Sequence, residues 1–173
     1  GTLFFSASDA LHGNELWKSD GTEDHTVLVK DIFPGVGSSR SYGPSGSEAM
    51  NGAVYFVAND GLHGNELWRS DGTEQGTWMV SDVYPGAQGG LYYTADDLVS
   101  VGGTLFFTAN DGIHGKELWK SDGTAIGTAM VTDLESGSGG SNIEGLQAVT
   151  DLLMFTATTA TTDLLERAGE HTA

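Results

Sequence analysis

The sequence contains no cysteine, only three prolines and only seven lysines and arginines. Without cysteine the chain cannot form disulfide bonds, a thiol nucleophile or a thiolate metal site. The 24 acidic residues give a net charge of −17, and nucleic acid and anionic membranes are therefore disfavoured as partners, because both attract basic surfaces. No apolar run approaches the roughly 18 residues that a membrane-spanning helix needs. We therefore expect neither nucleic-acid binding nor membrane insertion.

Glycine and a long internal repeat dominate what is present. The chain has 26 glycines, and the string Glu-Leu-Trp recurs every 51 residues, beginning at Glu15, Glu66 and Glu117. A fourth copy begins near Asp151 and then loses the pattern. We interpret residues 1–173 as a single repeat domain. Its units span about 1–51, 52–102 and 103–150, with a partial unit at 151–173.

Each unit contains four strand-like runs, which in the third copy cover 97–101, 104–109, 116–121 and 128–133. Asn110-Asp111-Gly112 indicates a hairpin, because such turns need residues that tolerate positive φ. No long 3.6-residue apolar period is present, so little helix is expected. Four short antiparallel strands in about 50 residues favour one blade of a β-propeller.

The predicted fold class is all-β, a propeller-like array of four-stranded antiparallel blades. The second run is apolar on both faces, as at Phe106 and Phe107, which is expected when a sheet packs between two others. The sequence holds about three and a half blades, fewer than the roughly 4–8 of a closed ring. Either the chain is part of a larger ring or several copies complete one, and both alternatives stay open.

The recurring motif resembles a known family. Glu-Leu-Trp-Lys-Ser-Asp-Gly-Thr, followed by Gly-Thr and then Val-Xaa-Asp-Val/Ile-Xaa-Pro-Gly, is similar to the ELWxxDGT repeat family over residues 1–134. The resemblance implies a secreted or cell-surface bacterial protein with a propeller-like array, and it implies no defined activity. The chain departs from the pattern at His25, where the other copies have glycine, and at Glu135-Ser136, where they have an aromatic residue and proline.

An aspartate turn recurs at Asp20, Asp71 and Asp122, each followed by glycine and threonine. The carboxylate is predicted to accept backbone N–H groups of its own loop and so fasten the turn. The alternative is a cation site in each unit. Calcium needs 6–8 oxygen ligands, and no Asp-x-Asp-x-Asp-Gly run supplies them. We therefore predict no cofactor, with calcium as the less favoured alternative.

Three more residue types recur at fixed positions, and a structural role is favoured for each. The tryptophans are predicted to pack between sheets rather than to stack on sugar rings. The histidines are predicted to bond to a neighbouring loop rather than to bind metal with the glutamates, because glycine follows each histidine and a strand then begins. Repetition also argues against catalysis, and no catalytic residue is predicted. The positions are Trp17, Trp68, Trp119, His12, His63, His114, Glu15, Glu66 and Glu117.

Residues that do not repeat are better candidates for a ligand site. The connector after the second copy holds Tyr84, Tyr92, Tyr93, Asp96 and Asp97. Tyrosine and aspartate in loops at one end of a propeller suit polar ligands, including glycans. The alternative is that the tyrosines cover the edge of a blade.

These features favour a noncatalytic structural or interaction module of an extracellular or cell-surface protein, such as a scaffold, fibre or adhesin-type assembly. The expected partners are other copies of the chain or other domains of a longer one. A lectin-like, glycan-binding propeller is the alternative. A carboxylate-dependent hydrolase is least favoured, because the adjacent Asp96 and Asp97 would point to opposite faces of an extended strand.

Overall fold

The computed structural model describes residues 1–39, 46–92 and 98–159. These residues form thirteen strands and no helix, which confirms the all-β prediction. Accordingly, no helix in this described part has the length and apolar character to cross a membrane. The strands are β1 (Leu3–Ala7), β2 (Glu15–Ser19), β3 (Val27–Lys30), β4 (Ser47–Met50), β5 (Ala53–Asn59), β6 (Asn65–Ser70), β7 (Thr77–Ser81), β8 (Leu98–Val101), β9 (Thr104–Asn110), β10 (Lys116–Ser121), β11 (Ala129–Thr132), β12 (Asn142–Val149) and β13 (Leu152–Thr158).

Four antiparallel sheets follow one another along the chain. The first contains β1–β2–β3, the second β4–β5–β6–β7, the third β8–β9–β10–β11, and the fourth β12–β13. Neighbouring strands are consecutive in sequence, so each sheet is an up-and-down meander. The four runs predicted for the third copy correspond to the four strands of the third sheet, whose first strand, β8, lies before residue 103, where the predicted third unit begins. A closed propeller does not follow from these sheets alone and stays a prediction.

Two-residue turns join the first two strands of both four-stranded sheets. Met50 pairs with Ala53 across Asn51 and Gly52, whose φ angles are 50° and 77°. Two successive positive φ angles define the type I′ turn, which Asn-Gly favours because both residues tolerate this region. The third sheet uses Gly102–Gly103 in the same place, with φ angles of 58° and 80°. The turn residues therefore fix the register of these strands.

The sheets pack face to face, so the middle strands are buried on both sides. Tyr55 and Phe56 are adjacent on β5, but they enter different apolar clusters. Tyr55 packs in a cluster with Phe107 of the third sheet, and Phe56 packs in a cluster with Leu16 of the first. This explains why the second run lacks the polar alternation of a half-exposed strand. The first strands of successive sheets also meet, since β8 lies against both β4 and β12.

A backbone hydrogen bond joins each of the first two connectors to the following sheet. The N–H of Asn59, at the end of β5, donates to the carbonyl of Ser39 at 2.9 Å. The N–H of Asn110, at the end of β9, donates to the carbonyl of Gly90 at 2.9 Å. Successive repeats therefore share an identical backbone seam.

Candidate functional site

The Glu of each Glu-Leu-Trp string is the centre of a buried backbone clamp. Glu66, at 0% exposure, accepts N–H groups from Val83 at 2.9 Å, Tyr84 at 3.1 Å and Gly90 at 2.7 Å. These donors lie 17 to 24 residues later, in the connector after β7. The carboxylate therefore ties the connector to the start of β6. We call this arrangement the glutamate clamp.

The glutamate clamp recurs in the other repeats. Glu15 and Glu117 are also fully buried. Each accepts N–H groups at the same sequence separations, from Ile32, Phe33 and Ser39 in the first repeat and from Leu134 and Ser141 in the third. In the third repeat the hydroxyl of Ser141 donates a further bond to Glu117 at 2.6 Å. Because these carboxylates accept backbone N–H groups of the connectors, they fasten the connectors to the sheets.

Burial also changes the titration of the clamp. Desolvation raises the pKa of Glu66 to about 7, outweighing the three N–H donors, which lower it. Burial raises the pKa of Glu15 as well. A raised carboxyl pKa in a cleft is a common mark of a catalytic acid. Here the Glu66 carboxyl lies under a connector, so its raised pKa results from packing of that connector over the side chain.

The connector and the hairpin loop it covers approach closely. The N–H of Leu91 donates to the carbonyl of Asn65 at 3.0 Å. A Cβ at Gly64 would lie 2.4 Å from the backbone nitrogen of Gly89. Both glycines have positive φ angles, 68° and 74°. Glycine is therefore required on both sides of this contact, since any side chain would separate the two loops.

The aspartate turn closes on itself, as an Asx turn does. Oδ1 of Asp71 accepts the N–H of Thr73 at 2.9 Å and its hydroxyl at 2.7 Å. The hydroxyl of Thr73, followed by its N–H, holds the pKa of Asp71 below its ordinary value. Gly72, with a φ of +89°, donates its N–H to Ser70 at 3.0 Å. Asp20 and Asp122 bond their own threonines in the same way.

In the described part of the chain, the aspartates of these turns are not grouped with two or more other metal-ligating side chains. Within 1–39, 46–92 and 98–159 there is no group of three or more His, Asp or Glu side chains placed to hold a metal ion. One oxygen of Asp71 already accepts two hydrogen bonds from Thr73. The geometry of the turn is thus accounted for without a ligand.

The first repeat departs from the turn geometry at His25. Its equivalent in the second repeat, Gly76, packs so tightly that a Cβ would lie 2.0 Å from Oδ1 of Asp71. In the first repeat the imidazole Nδ1 of His25 instead lies 2.9 Å from Oδ2 of Asp20. The loop there accommodates a side chain, whose imidazole lies beside the aspartate carboxylate.

Two of the three repeated tryptophans pack between sheets. Trp68 is 6% exposed and belongs to the cluster between the first and second sheets. Trp119 packs against the cluster between the second and third sheets, and Trp17 is half-buried. A register irregularity occurs at each Leu-Trp step, where β2, β6 and β10 meet the following strand. Trp68 therefore offers no open face on which a sugar ring could stack.

Each repeated histidine pairs with an aspartate three residues earlier. Nδ1 of His63 lies 2.7 Å from Oδ2 of Asp60, whose Oδ1 accepts the N–H groups of Leu62 and His63 at 2.9 Å. The hydrogen bond to Asp60 raises the pKa of His63. Burial opposes ionisation of Asp60, but bonds from the N–H and imidazole of His63 lower its pKa overall. The sequence interpretation missed this partner, although Asp-x-x-His recurs at Asp9, Asp60 and Asp111.

Two of the five predicted ligand residues lie within the described part of the chain. Tyr84 is held by the glutamate clamp, and its ring packs against Gly112, where a Cβ would lie 2.6 Å from Cε2. Tyr92 is 49% exposed, and the ammonium of Lys116 lies 5.8 Å from its ring centroid. The structure thus adds Lys116, which the sequence did not single out. Tyr93, Asp96 and Asp97 lie outside the described residues.

An open groove of about 510 Å³ lies between the first and second sheets. Its walls include Phe4, Lys18, Met50 and Asp71. The ammonium of Lys18 donates to the carbonyl of Gly72 at 2.7 Å, so this cation already stabilises the contact between the sheets.

No family model matches the chain, and no curated protein sequence matches it. The resemblance to the ELWxxDGT repeat family therefore stays a prediction.

Proposed function

We propose that the chain is a noncatalytic structural or interaction module of an extracellular or cell-surface protein. The observation that carries the proposal is the use of the repeated polar residues inside the fold. Glu66 serves three backbone N–H groups, Asp71 serves its own turn, and His63 pairs with Asp60. A scaffold needs identical fasteners in each unit, whereas one active centre does not. The extracellular location rests on the family resemblance alone.

A propeller-like array is part of the same proposal. Supporting it are the four-stranded meanders, their face-to-face packing and the contacts that β8 makes with β4 and β12. In a propeller the first strands of the blades lie side by side around the axis. The array would be part of a larger ring or would be completed by other copies. Small-angle scattering and light scattering test it, since a rod-like monomer is inconsistent with a ring segment.

The absence of catalysis is tested by turnover. Chromogenic glycosides, esters and phosphate esters are incubated with the chain, and no turnover above buffer is expected. Turnover that disappears on changing one residue, with the melting temperature unchanged, would overturn the proposal.

A lectin-like module is the second candidate. The observation that favours it is the half-exposed Tyr92 ring next to Lys116, since aromatic rings near polar groups suit sugars. A glycan array comparing the native chain with the double variant Tyr92→Ala/Tyr93→Ala tests it. Binding that the double variant loses supports this candidate, and binding that it retains contradicts it.

A further inference from the structure

One apolar position recurs in every full repeat and is nevertheless exposed. Leu11, Leu62 and Ile113 occupy equivalent places in the hairpin loops after β1, β5 and β9, and they are 71%, 71% and 67% exposed. Single exposed hydrophobic residues are ordinary on protein surfaces. Ile126, at 99% exposure, follows that rule, because its equivalents in the other repeats are Asp24 and Gln75. Exposure of a large aliphatic side chain at the same place three times needs another explanation. We call these three residues the loop tips.

The loop tips are held rigidly from below. Asp60 accepts the N–H of Leu62 itself at 2.9 Å, and Asn59 accepts the N–H of Gly61 at 2.7 Å. The third repeat has the same bonds, from Ile113 to Asp111 at 2.9 Å and from Gly112 to Asn110 at 2.7 Å. In the first repeat Asp9 accepts the N–H of Leu11 at 2.8 Å. A side chain presented on a fixed loop loses less entropy when it is bound.

An aromatic ring of the preceding repeat supports each of the two later loop tips. A Cβ at Gly61, next to Leu62, would lie 2.9 Å from Cζ of Phe33. A Cβ at Gly112, next to Ile113, would lie 2.6 Å from Cε2 of Tyr84. The connectors thus bring apolar rings to the same side as the loop tips.

The surroundings of the loop tips are acidic. Each tip is flanked by the aspartate of its own loop, which is paired with the following histidine. The hydrogen bond to this aspartate, and then the charge of a second carboxylate in each repeat, raise the pKa of that histidine. These carboxylates belong to Asp31, Asp82 and Asp133. A partner that contacts this side must therefore complement negative charge as well as apolar surface.

We propose that the loop tips form a docking surface for a polypeptide segment in which basic residues alternate with aliphatic ones. This inference rests on the proposed interaction function and names the chemistry of its partner. Aliphatic side chains of the segment would contact Leu11, Leu62 and Ile113. Its lysines or arginines would lie among the carboxylates of the loops.

The test uses a fluorescein-labelled synthetic peptide that alternates lysine and leucine, and its binding to the full chain is measured by fluorescence anisotropy. The triple variant Leu11→Ser/Leu62→Ser/Ile113→Ser keeps every charge and should keep the native melting temperature, because all three side chains are exposed. We expect its affinity to be at least about tenfold weaker, since three apolar contacts are lost. The matched control Ile126→Ser removes an aliphatic side chain that is 99% exposed, and native affinity is expected.

A peptide that alternates lysine and serine separates charge from apolar contact. It should bind the native chain and the triple variant equally, and more weakly than the lysine–leucine peptide binds the native chain. Equal binding of the lysine–leucine peptide to both proteins would overturn the docking surface. The docking surface would also be overturned if the native chain bound phosphatidylcholine vesicles and the triple variant did not. The same holds if the native chain self-associated in light scattering and the triple variant did not. The turnover assays test the proposed noncatalytic role separately.

Discussion

Replacing Glu66 by glutamine tests the glutamate clamp with a change of one atom. At pH 5 the Glu66 carboxyl is protonated, because burial raises its pKa to about 7. The native and variant side chains then have the same charge and nearly the same shape. The difference is that the hydroxyl oxygen of the protonated carboxyl can still accept a hydrogen bond through a lone pair, whereas the amide NH₂ of glutamine can only donate.

The magnitude follows from the three bonds. Oε1 accepts the N–H groups of Tyr84 and Gly90, and Oε2 accepts that of Val83. The glutamine oxygen can replace Oε1, but the NH₂ group then faces the Val83 N–H, so two donors meet in a buried site. A buried donor without an acceptor costs about 1–3 kcal/mol. We expect Glu66→Gln to lower the free energy of unfolding by this amount at pH 5.

The pH dependence has a defined sign. The folded-state pKa of Glu66 is raised from its ordinary value of 4.5 to about 7. The stability that the protonated group contributes is therefore fully present below pH 4.5 and is lost as the pH rises through about 7. Glutamine does not titrate. The destabilisation of Glu66→Gln relative to the native chain should accordingly be smaller at pH 8 than at pH 5.

The assay is urea unfolding followed by tryptophan fluorescence, together with amide hydrogen exchange. Trp68 is buried two residues from the substitution and reports on the same sheet. Exchange of the Val83 N–H should accelerate in the variant. Glu74→Gln, in an exposed turn, is the matched control, with an expected change below about 0.5 kcal/mol. Equal costs for both variants at pH 5, or a cost for Glu66→Gln that grows with pH, would refute the reasoning.

Further predictions concern a turn, the core and the imidazoles. In urea unfolding, Gly123→Ala should lower the free energy of unfolding more than Gly21→Ala does. The φ angle is about the same at both glycines, but a Cβ at Gly123 would lie 2.2 Å from the Tyr55 hydroxyl, whereas a Cβ at Gly21 would meet no described atom within 4 Å. Positive φ alone costs alanine about 1–2 kcal/mol, and equal losses would contradict the packing argument. Phe56→Ala should lower the free energy of unfolding by about 3–5 kcal/mol in the same assay, because the ring is fully buried and its removal leaves a cavity. A loss below about 1 kcal/mol would mean that the sheets do not pack there as described. His63→Gln should lower the melting temperature more at pH 6 than at pH 9, since the raised pKa of His63 means that its stabilisation is lost as pH rises; a pH-independent loss would exclude the ion pair.

The strands and their turns could be predicted because their signals are local. Asn51 and Gly52 specify a tight hairpin by backbone preference alone. The paired aromatics on the second run of each unit indicate burial on two sides, and Tyr55 and Phe56 do enter two different clusters. The 51-residue repeat then transfers each inference from one unit to the next.

The contacts of the polar residues could not be predicted. Some partners are distant in sequence, and for the histidines the sequence pattern points to the wrong neighbouring residue. Glu66 bonds to loop N–H groups 17 to 24 residues away, and backbone donors leave no trace in side-chain patterns. The His-Gly-Xaa-Glu spacing suggests Glu66, three residues after His63, as its partner. The residue that pairs with His63 is Asp60, three residues earlier. Tyr93, Asp96 and Asp97 lie outside the described residues, so their proposed role stays a prediction.

The identical seam from Asn59 to Ser39 and from Asn110 to Gly90 bears on how such a chain can change in length. A duplicated unit spliced in at this joint would carry both the donor and the acceptor, so it would meet compatible neighbours at either end. Tandem duplication would then lengthen the protein without requiring any new contact to evolve. Loss of part of a unit would instead leave half a joint exposed, so whole-unit gains and losses are the expected route of divergence.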